Sequence, residues 1–247
     1  MYRSSQPAPE RILARPGFFW VMYDMNQYLY FAKEEAHSRF PDIHNNAALN
    51  KVLRNTENVF KHSSKYFTSS MSNYSPIRLG HKVTGLPIEW DDSLVSNSLE
   101  KKKGQEGAKN KKDEDEEEGT KLVVNWIQKL QKEKVRPKDI CILVENKEKK
   151  KLLRDKIGHI GGESQTGDDL VEKSANCAVV ESIRCFKGLE SKVVIIILYN
   201  PPFGGYSKRS IKELLYTAVS RCSCFLVVIS TTEGCNALKS DIGISMK

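Results

Sequence analysis

Residues 177–198 read CAVVESIRCFKGLESKVVIIIL, and this stretch decides the fold that the sequence predicts. Its largely apolar beginning predicts a strand over 177–183, and VVIIIL at 193–198 predicts a second strand. Strands without polar alternation are typical of parallel sheets, because helices cover both faces of such sheets. The turn around Gly188 therefore joins two buried strands of an α/β protein.

The flanking sequence continues this alternation of helices and strands. Apolar residues at 123, 126, 127 and 130 have helical spacing, so residues 120–134 are predicted to form an amphipathic helix. Further strands are predicted at 139–144 and 225–230, and further helices at 147–157 and 210–221. We therefore predict a doubly wound α/β fold, a parallel sheet flanked by helices, over residues 120–247.

The first 92 residues are less regular. A buried strand is predicted at 18–23, a helix at 47–63 and two short strands within 77–90. These elements do not complete a domain by themselves, so residues 1–92 are predicted to be an incomplete N-terminal fragment.

Between these two regions, residues 93–119 have almost no apolar content after Leu99. A lysine block is followed there by an acidic block, DEDEEE. Such a segment cannot bury enough apolar surface to offset its ordering entropy, so we predict a disordered charged insertion. The lysine clusters at 101–103 and 109–112 fit either a nuclear address or a solvated loop.

Charge and composition restrict the possible partners. The formal net charge of +8 favours a polyanion such as single-stranded nucleic acid, although many basic proteins bind none. There is no apolar run of about 18 residues and no secretory signal, so we expect no membrane span and a nuclear or cytoplasmic location. The six cysteines lack the spacing of zinc ligands, so we expect free thiols and no metal site.

Two segments near the predicted strands carry polar side chains suited to ligand binding. Lys187, Gly188 and Glu190 follow the strand at 177–183, and ligands of open α/β sheets bind at the carboxyl ends of strands. A tight turn with solvated side chains is the alternative. Arg221 ends the helix at 210–221, where it could satisfy the last helical carbonyls or reach across a cleft to a phosphate.

A third segment lies in the N-terminal fragment. Gln27 follows the strand at 18–23 within the sequence DMNQ, and Arg54 lies in LNKVLRNT at 49–56. A polar amide after a strand and an arginine near a helix are common features, so neither indicates a site by itself.

Together these segments resemble a known family. The order D-x-x-Q, L-x-x-x-x-R-N-T, the strand RPKDICIL at 136–143, K-G-L-E and Y-x-A-x-S-R is similar to motifs III to VI of superfamily 1 helicases of the UvrD/Rep type. The helicase-like region of the Schlafen family is a closer match, on PGFFW at 16–20, VLRN at 52–55 and ESIR at 181–184 running into FKGLE. The resemblance covers most of residues 16–92 and 120–232.

The resemblance implies a second RecA-like motor domain, preceded by a remnant of the first motor domain in residues 1–92. It implies that Gln27, Arg54 and Arg221 act on the γ-phosphate of ATP, as arginine fingers do. Glu190 would accept a hydrogen bond from the ribose, beside Lys187 and Gly188, where a glycine lets the backbone approach closely. Ser182 and Arg184 stand where the family places a threonine and a histidine that contact nucleic acid, so Arg184 is a departure.

The resemblance also implies parts that this sequence lacks. No G-x-x-x-x-G-K-[ST] phosphate loop occurs, since GHIGGESQTG at 158–167 has no lysine followed by serine or threonine. No apolar strand ending in Asp-Glu precedes Gln27. ATP and Mg²⁺ are therefore expected to bind only if a missing first motor half is supplied, either upstream of Met1 in a longer chain or by a partner chain.

Two functions remain open at this point. One is half of a Schlafen-like, nucleic-acid-dependent ATPase that is inactive alone. The other is a non-catalytic module on the same fold that binds nucleic acid or a protein. The first requires Gln27, Arg54, Glu190 and Arg221 to converge on one cleft, which we expect at the carboxyl ends of the strands at 18–23 and 177–183.

Overall fold

The structure is a computed structural model that describes residues 50–67, 77–94, 108–159, 164–165, 177–199 and 208–239. Its strands are β1 Lys51–Val52, β2 Arg78–Leu79, β3 Glu89–Asp91, β4 Ile140–Val144, β5 Ser164–Gln165, β6 Ala178–Ser182, β7 Ser191–Ile197 and β8 Cys222–Ile229. Its helices are α1 Glu57–Ser64, α2 Ala108–Lys132, α3 Lys147–His159, α4 Lys208–Ser220 and α5 Thr232–Lys239.

Six of these strands form one sheet in the order β3-β8-β7-β4-β6-β5, and every pair of neighbours is parallel. The strands β1 and β2 form a separate parallel pair. The central strands β4 and β7 are rich in β-branched residues, which suit a pleated sheet buried on both faces. The predicted fold class, an α/β parallel sheet flanked by helices, is confirmed.

Successive side chains of each central strand enter two different cores. In β7, Val194 and Ile196 pack with residues of α1, α4 and α5 on one face. Val193, Ile195 and Ile197 pack with residues of α2 and α3 on the other face. Because side chains alternate across a strand, a run of five apolar residues supplies both cores at once. This layered arrangement explains the unbroken apolar pattern of VVIIIL.

Helix α4 positions the beginning of β8. Its buried apolar residues recur with the three- and four-residue spacing of one helical face, at Ile211, Leu214, Leu215, Ala218 and Val219. That face lies in the same core as α1 and fixes the direction of the helix. The helix ends at Ser220, so Arg221 occupies the short link to β8.

The boundary that the sequence predicted at residue 92 does not divide the described chain into two units. The strand β3 pairs with β8, with Glu89 opposite Val227. Helix α1 contributes Val59 to the core that also contains α4. Without β3, the backbone groups along one side of the apolar strand β8 would lack hydrogen-bond partners, so β3 from the N-terminal region pairs with it. The described part of residues 50–94 therefore packs against the parallel sheet, while its predicted origin as a remnant of a first motor domain stays a prediction.

The charged insertion also differs from its prediction. Helix α2 begins at Ala108, so residues 108–119 are helical and not disordered. The packed part of the helix, which buries Val123 and Leu130, supports extension toward the N-terminus because helix propagation is cooperative. An i,i+4 ion pair between Glu117 and Lys121, 2.9 Å long, lies in the extension. The predicted strand at 18–23 and residues 95–107 lie outside the described residues.

Candidate functional site

The amino ends of β7 and β8 lie side by side, with Ser191 opposite Cys222. The amide of Ser191 donates a hydrogen bond of 3.0 Å to the carbonyl of Arg221. Glu190 and Arg221, which immediately precede these strands, are therefore neighbours. We call this region, together with Arg54, the amino edge.

A buried asparagine brings Arg54 to the amino edge. The side-chain amide of Asn55, only 2% exposed, donates hydrogen bonds to the carbonyls of Ser220, at 3.1 Å, and Cys222. The amide of Thr56 donates to the carbonyl of Ser223 at 2.9 Å. The segment before α1 is thus attached to the end of α4 and the beginning of β8. Sequence reasoning did not select Asn55, although it lies within the quoted R-N-T motif.

Arg54 forms an ion pair with Glu190 across 136 residues of chain. The distance between Nη1 and Oε2 is 3.5 Å, and the side chains are 41% and 55% exposed. Such a long and exposed pair contributes little to stability, because water screens the charges. The pair is accessible from solvent, and both side chains belong to the residues from which the sequence predicted a nucleotide site.

Arg221 has a different environment from the one that a phosphate-contacting residue requires. It is 2% exposed and donates hydrogen bonds from Nε to the Thr217 carbonyl, from Nη1 to the Leu189 carbonyl and from Nη2 to Ser220 Oγ, at 3.0–3.2 Å. The expectation that Arg221 points into an open cleft is not met in this structure. The carbonyls of the last helical turn lack intrahelical partners, and a cation there satisfies them. Arg221 also holds the backbone beside Glu190, through its hydrogen bond to the Leu189 carbonyl.

Gly188 and Lys187 form the outer turn of this segment. Gly188 has a φ of +85°, and no atom lies within 4 Å of the position that a Cβ would occupy. The positive φ therefore explains why a glycine occupies this position, and the missing side chain leaves open space beside the turn. Lys187 is exposed beside it. The structure thus places Lys187 and Gly188 near Glu190, while their predicted contacts with a nucleotide remain predictions.

Ser182 and Arg184 lie at the opposite end of the parallel strands, where their carboxyl ends meet, and we call this region the carboxyl edge. Ser182 ends β6 and is level with Val144 and, through β4, with Ile197 at the end of β7. This carboxyl edge is about 15–20 Å from the amino edge, since each strand residue spans about 3.3 Å. The sequence placed Glu190 and Arg221 at the carboxyl ends of strands, and this was wrong. Residues 183–190 cross back over the sheet before β7 begins.

A buried ion pair supports the carboxyl edge, and sequence reasoning missed it. Lys150 Nζ lies 2.7 Å from Glu181 Oε2, with side-chain exposures of 17% and 2%. The other carboxylate oxygen of Glu181 accepts a hydrogen bond of 2.8 Å from the amide of Ser182. The pair joins α3 to the end of β6. A glutamate within a run of buried strand residues was the available signal.

Two further titratable groups near the amino edge, Asp139 and Cys222, are not available to a ligand. Asp139 lies 2.9 Å from Arg136 and 3.2 Å from Lys192. The hydrogen bond from Arg136 is the main cause that holds the pKa of Asp139 below its usual value. Burial raises the pKa of the Cys222 thiol to about 12, so no thiolate forms there at neutral pH.

Three further findings concern only the described residues. Gln27 lies outside them, so its predicted place beside Arg54 stays a prediction. No helix in the described ranges is long and apolar enough to cross a membrane. Within the same ranges, no group of three or more His, Cys, Asp or Glu side chains is arranged to hold a metal ion.

Comparison with known proteins gives structural neighbours only. No protein-family model and no curated protein matches the chain. The C-terminal domain of a possible DNA helicase from Lactobacillus plantarum WCFS1 is similar, with 18% identity, 72% of this chain and 87% of that chain covered, and a TM-score of 0.47. The Hef helicase domain of Pyrococcus furiosus has 14% identity, 48% and 25% coverage, and a TM-score of 0.32.

Proposed function

We propose that this chain is the second, RecA-like motor half of a superfamily 1, Schlafen-like, nucleic-acid-dependent ATPase. One observation carries the proposal: Arg54, Glu190 and Arg221 meet at the amino edge although they are distant in the chain. These are the residues that the family resemblance assigns to three different motifs. Independent solvated side chains at unrelated turns would have no reason to meet.

In this proposal Arg54 senses the γ-phosphate of an ATP that another RecA-like unit holds with Mg²⁺. Its exposed guanidinium can donate two hydrogen bonds to phosphate oxygens and stabilise the charge of the transferring phosphoryl group. Arg221 is a positioning residue, because it is buried and holds the Leu189 carbonyl. Glu190 and Gly188 then face the nucleotide from the turn that Arg221 supports.

The same geometry leaves a second candidate function. The burial of Arg221 favours a non-catalytic module that retains the fold and binds nucleic acid or a protein, since a catalytic arginine finger must reach the phosphate. The two functions differ in one measurable property, which is whether the amino edge recognises a nucleotide.

The complete site for ATP and Mg²⁺ needs the missing motor half, but the residues of the amino edge should give weak ATP binding by themselves, so a high ATP concentration should stabilise the purified chain without hydrolysis. The sequence contains no phosphate loop, so catalytic positioning is lacking, while Arg54 can still contact phosphate. At an ATP concentration about tenfold above Kd, the melting temperature should rise by about 3–5 °C. Arg54→Ala should abolish the rise. Lys61→Ala, which removes an exposed lysine that pairs with Glu57 in α1, is the matched control and should retain it.

Two results would contradict this expectation. Turnover above the no-protein background that Arg54→Ala removes would show a complete ATPase site within the chain. An unchanged melting temperature at saturating ATP would remove the nucleotide from the proposal and leave the non-catalytic module.

For the carboxyl edge we propose binding of single-stranded nucleic acid through the partly exposed Arg184. Ser182, which the resemblance paired with it, is only 2% exposed and its Oγ accepts a hydrogen bond from the amide of Cys185, so it can only support the turn that carries Arg184. Arg184→Ala should weaken the binding of a labelled single-stranded oligonucleotide and reduce the slope of log K against log salt by about one, as expected for one lost phosphate contact. Fluorescence anisotropy at several salt concentrations measures both. Lys121→Ala on α2 removes the same charge from an exposed ion pair and should have a smaller effect. Equal losses in the two variants would show binding by net charge alone.

A further inference from the structure

The ion pair between Arg54 and Glu190 is held from both sides. The Asn55 amide fixes the backbone next to Arg54 against the carbonyl of Ser220. Arg221 fixes the backbone next to Glu190 through the carbonyl of Leu189. Because two separate anchors bring the charged groups together, their contact follows from the fold and not from a chance encounter of two long surface side chains.

The pair is nevertheless open to an incoming anion. Both side chains are about half exposed, and their separation of 3.5 Å is long for a hydrogen bond between charged groups. In the turn before Glu190, a Cβ on Gly188 would meet no atom within 4 Å apart from those of the glycine and its two chain neighbours. An anion can therefore approach Arg54 without displacing packed side chains.

Glu190 is the carboxylate that competes for Arg54 at this edge. Two other acidic groups of the described chain that lie near this region already have partners: Asp139 is held between Arg136 and Lys192, and Glu57 pairs with Lys61. Any anion that binds Arg54 must replace Glu190 and overcome its negative charge. Once Glu190 has moved away, a phosphate chain with several charges is attracted to Arg54 more strongly than a singly charged anion, whereas the cost of breaking the Arg54–Glu190 pair is the same for both.

We propose that Glu190 is an internal counter-ion that occupies Arg54 in the empty domain and restricts the site to polyphosphate ligands. This inference rests on the proposed function, in which Arg54 contacts phosphate. It gives Glu190 a role in the absence of nucleotide, separate from an interaction with the ribose. No covalent step is involved, since Glu190 and the phosphate exchange places at one guanidinium.

Inorganic tripolyphosphate is the appropriate probe, because it has no ribose for Glu190 to contact. We expect Glu190→Gln to bind tripolyphosphate about two- to fivefold more tightly than the unmodified chain, the range that corresponds to the loss of one exposed ion pair. Arg54→Ala should bind it more weakly, and the double variant should resemble Arg54→Ala. Isothermal titration calorimetry measures the four affinities. Circular dichroism verifies that each variant is folded.

Glu57→Gln is the matched control. Glu57 lies three residues from Arg54 and forms an exposed ion pair of 2.8 Å with Lys61, so its replacement removes the same charge without freeing Arg54. We expect its affinity to equal that of the unmodified chain. If Glu57→Gln gains as much as Glu190→Gln, or if the gain persists in the double variant, the counter-ion role is wrong. If Arg54→Ala binds as the unmodified chain does, the proposed phosphate contact itself is wrong.

Discussion

Replacement of Asn55 by aspartate is expected to lower the free energy of unfolding by about 3–5 kcal/mol. The variant has nearly the same shape, but it presents a carboxylate to the carbonyl oxygens of Ser220 and Cys222 where an amide now donates to both. The site is almost fully buried, so water cannot replace the lost hydrogen bonds. Because typical domains are stable by only about 5–15 kcal/mol, a large part of the stability would be lost.

Asn58 provides a matched control three residues later. Its side-chain amide also donates to two backbone carbonyls, those of Gly85 and Leu86, at 3.3 and 3.1 Å, but these hydrogen bonds lie at a partly exposed position. Asn58→Asp should cost less than about 1.5 kcal/mol, because water can solvate the groups that it leaves. Urea denaturation followed by circular dichroism measures both variants. Equal losses would mean that Asn55 does not attach the segment before α1 to the sheet.

The second large effect is expected at the carboxyl edge. Lys150→Met keeps the length of the side chain and removes the cation that lies 2.7 Å from the buried carboxylate of Glu181. Removing one partner of a buried ion pair leaves a poorly solvated charge, which costs about 3 kcal/mol or more. We therefore expect a clear fall in the urea midpoint at neutral pH, together with weaker oligonucleotide binding if Ser182 and Arg184 are displaced.

A double-variant cycle separates the ion pair from general packing. Glu181→Leu combined with Lys150→Met should recover more than half of the lost stability, because two apolar side chains can replace a buried ion pair at little cost. Lys61→Met breaks the exposed pair with Glu57, at 2.8 Å, and should leave the midpoint unchanged. No recovery in the double variant would show that Lys150 stabilises through its packing and not through its charge.

Local sequence patterns predicted the central sheet well. The strands at 139–144, 177–183, 193–198 and 225–230 all appear, with ends that differ by at most three residues. Each combines β-branched or apolar residues with clear flanking turns, so the local preference and the burial in the fold agree. The pattern was less informative in residues 47–63, where α1 begins only at Glu57.

The candidate site was predicted as a set of residues but not as a geometry. Arg54, Glu190 and Arg221 were expected together, and the structure brings these three together at the amino edge. Their place at the carboxyl ends of strands and the open position of Arg221 were wrong. Both errors have the same source. A motif specifies which residues occur, but it does not specify at which end of the parallel strands the connecting segment places them.

The sequence by itself determined the class of fold, because strand and helix periodicity reflect burial on two faces or on one. It also determined which polar residues lie next to the predicted strands in the chain. Only the tertiary structure decided that β3 joins β8, that Asn55 attaches Arg54 to the end of α4, and that Lys150 pairs with Glu181. These contacts join residues far apart in the chain, and their free energy comes from hydrogen bonds and charges that are buried only when the whole sheet has assembled.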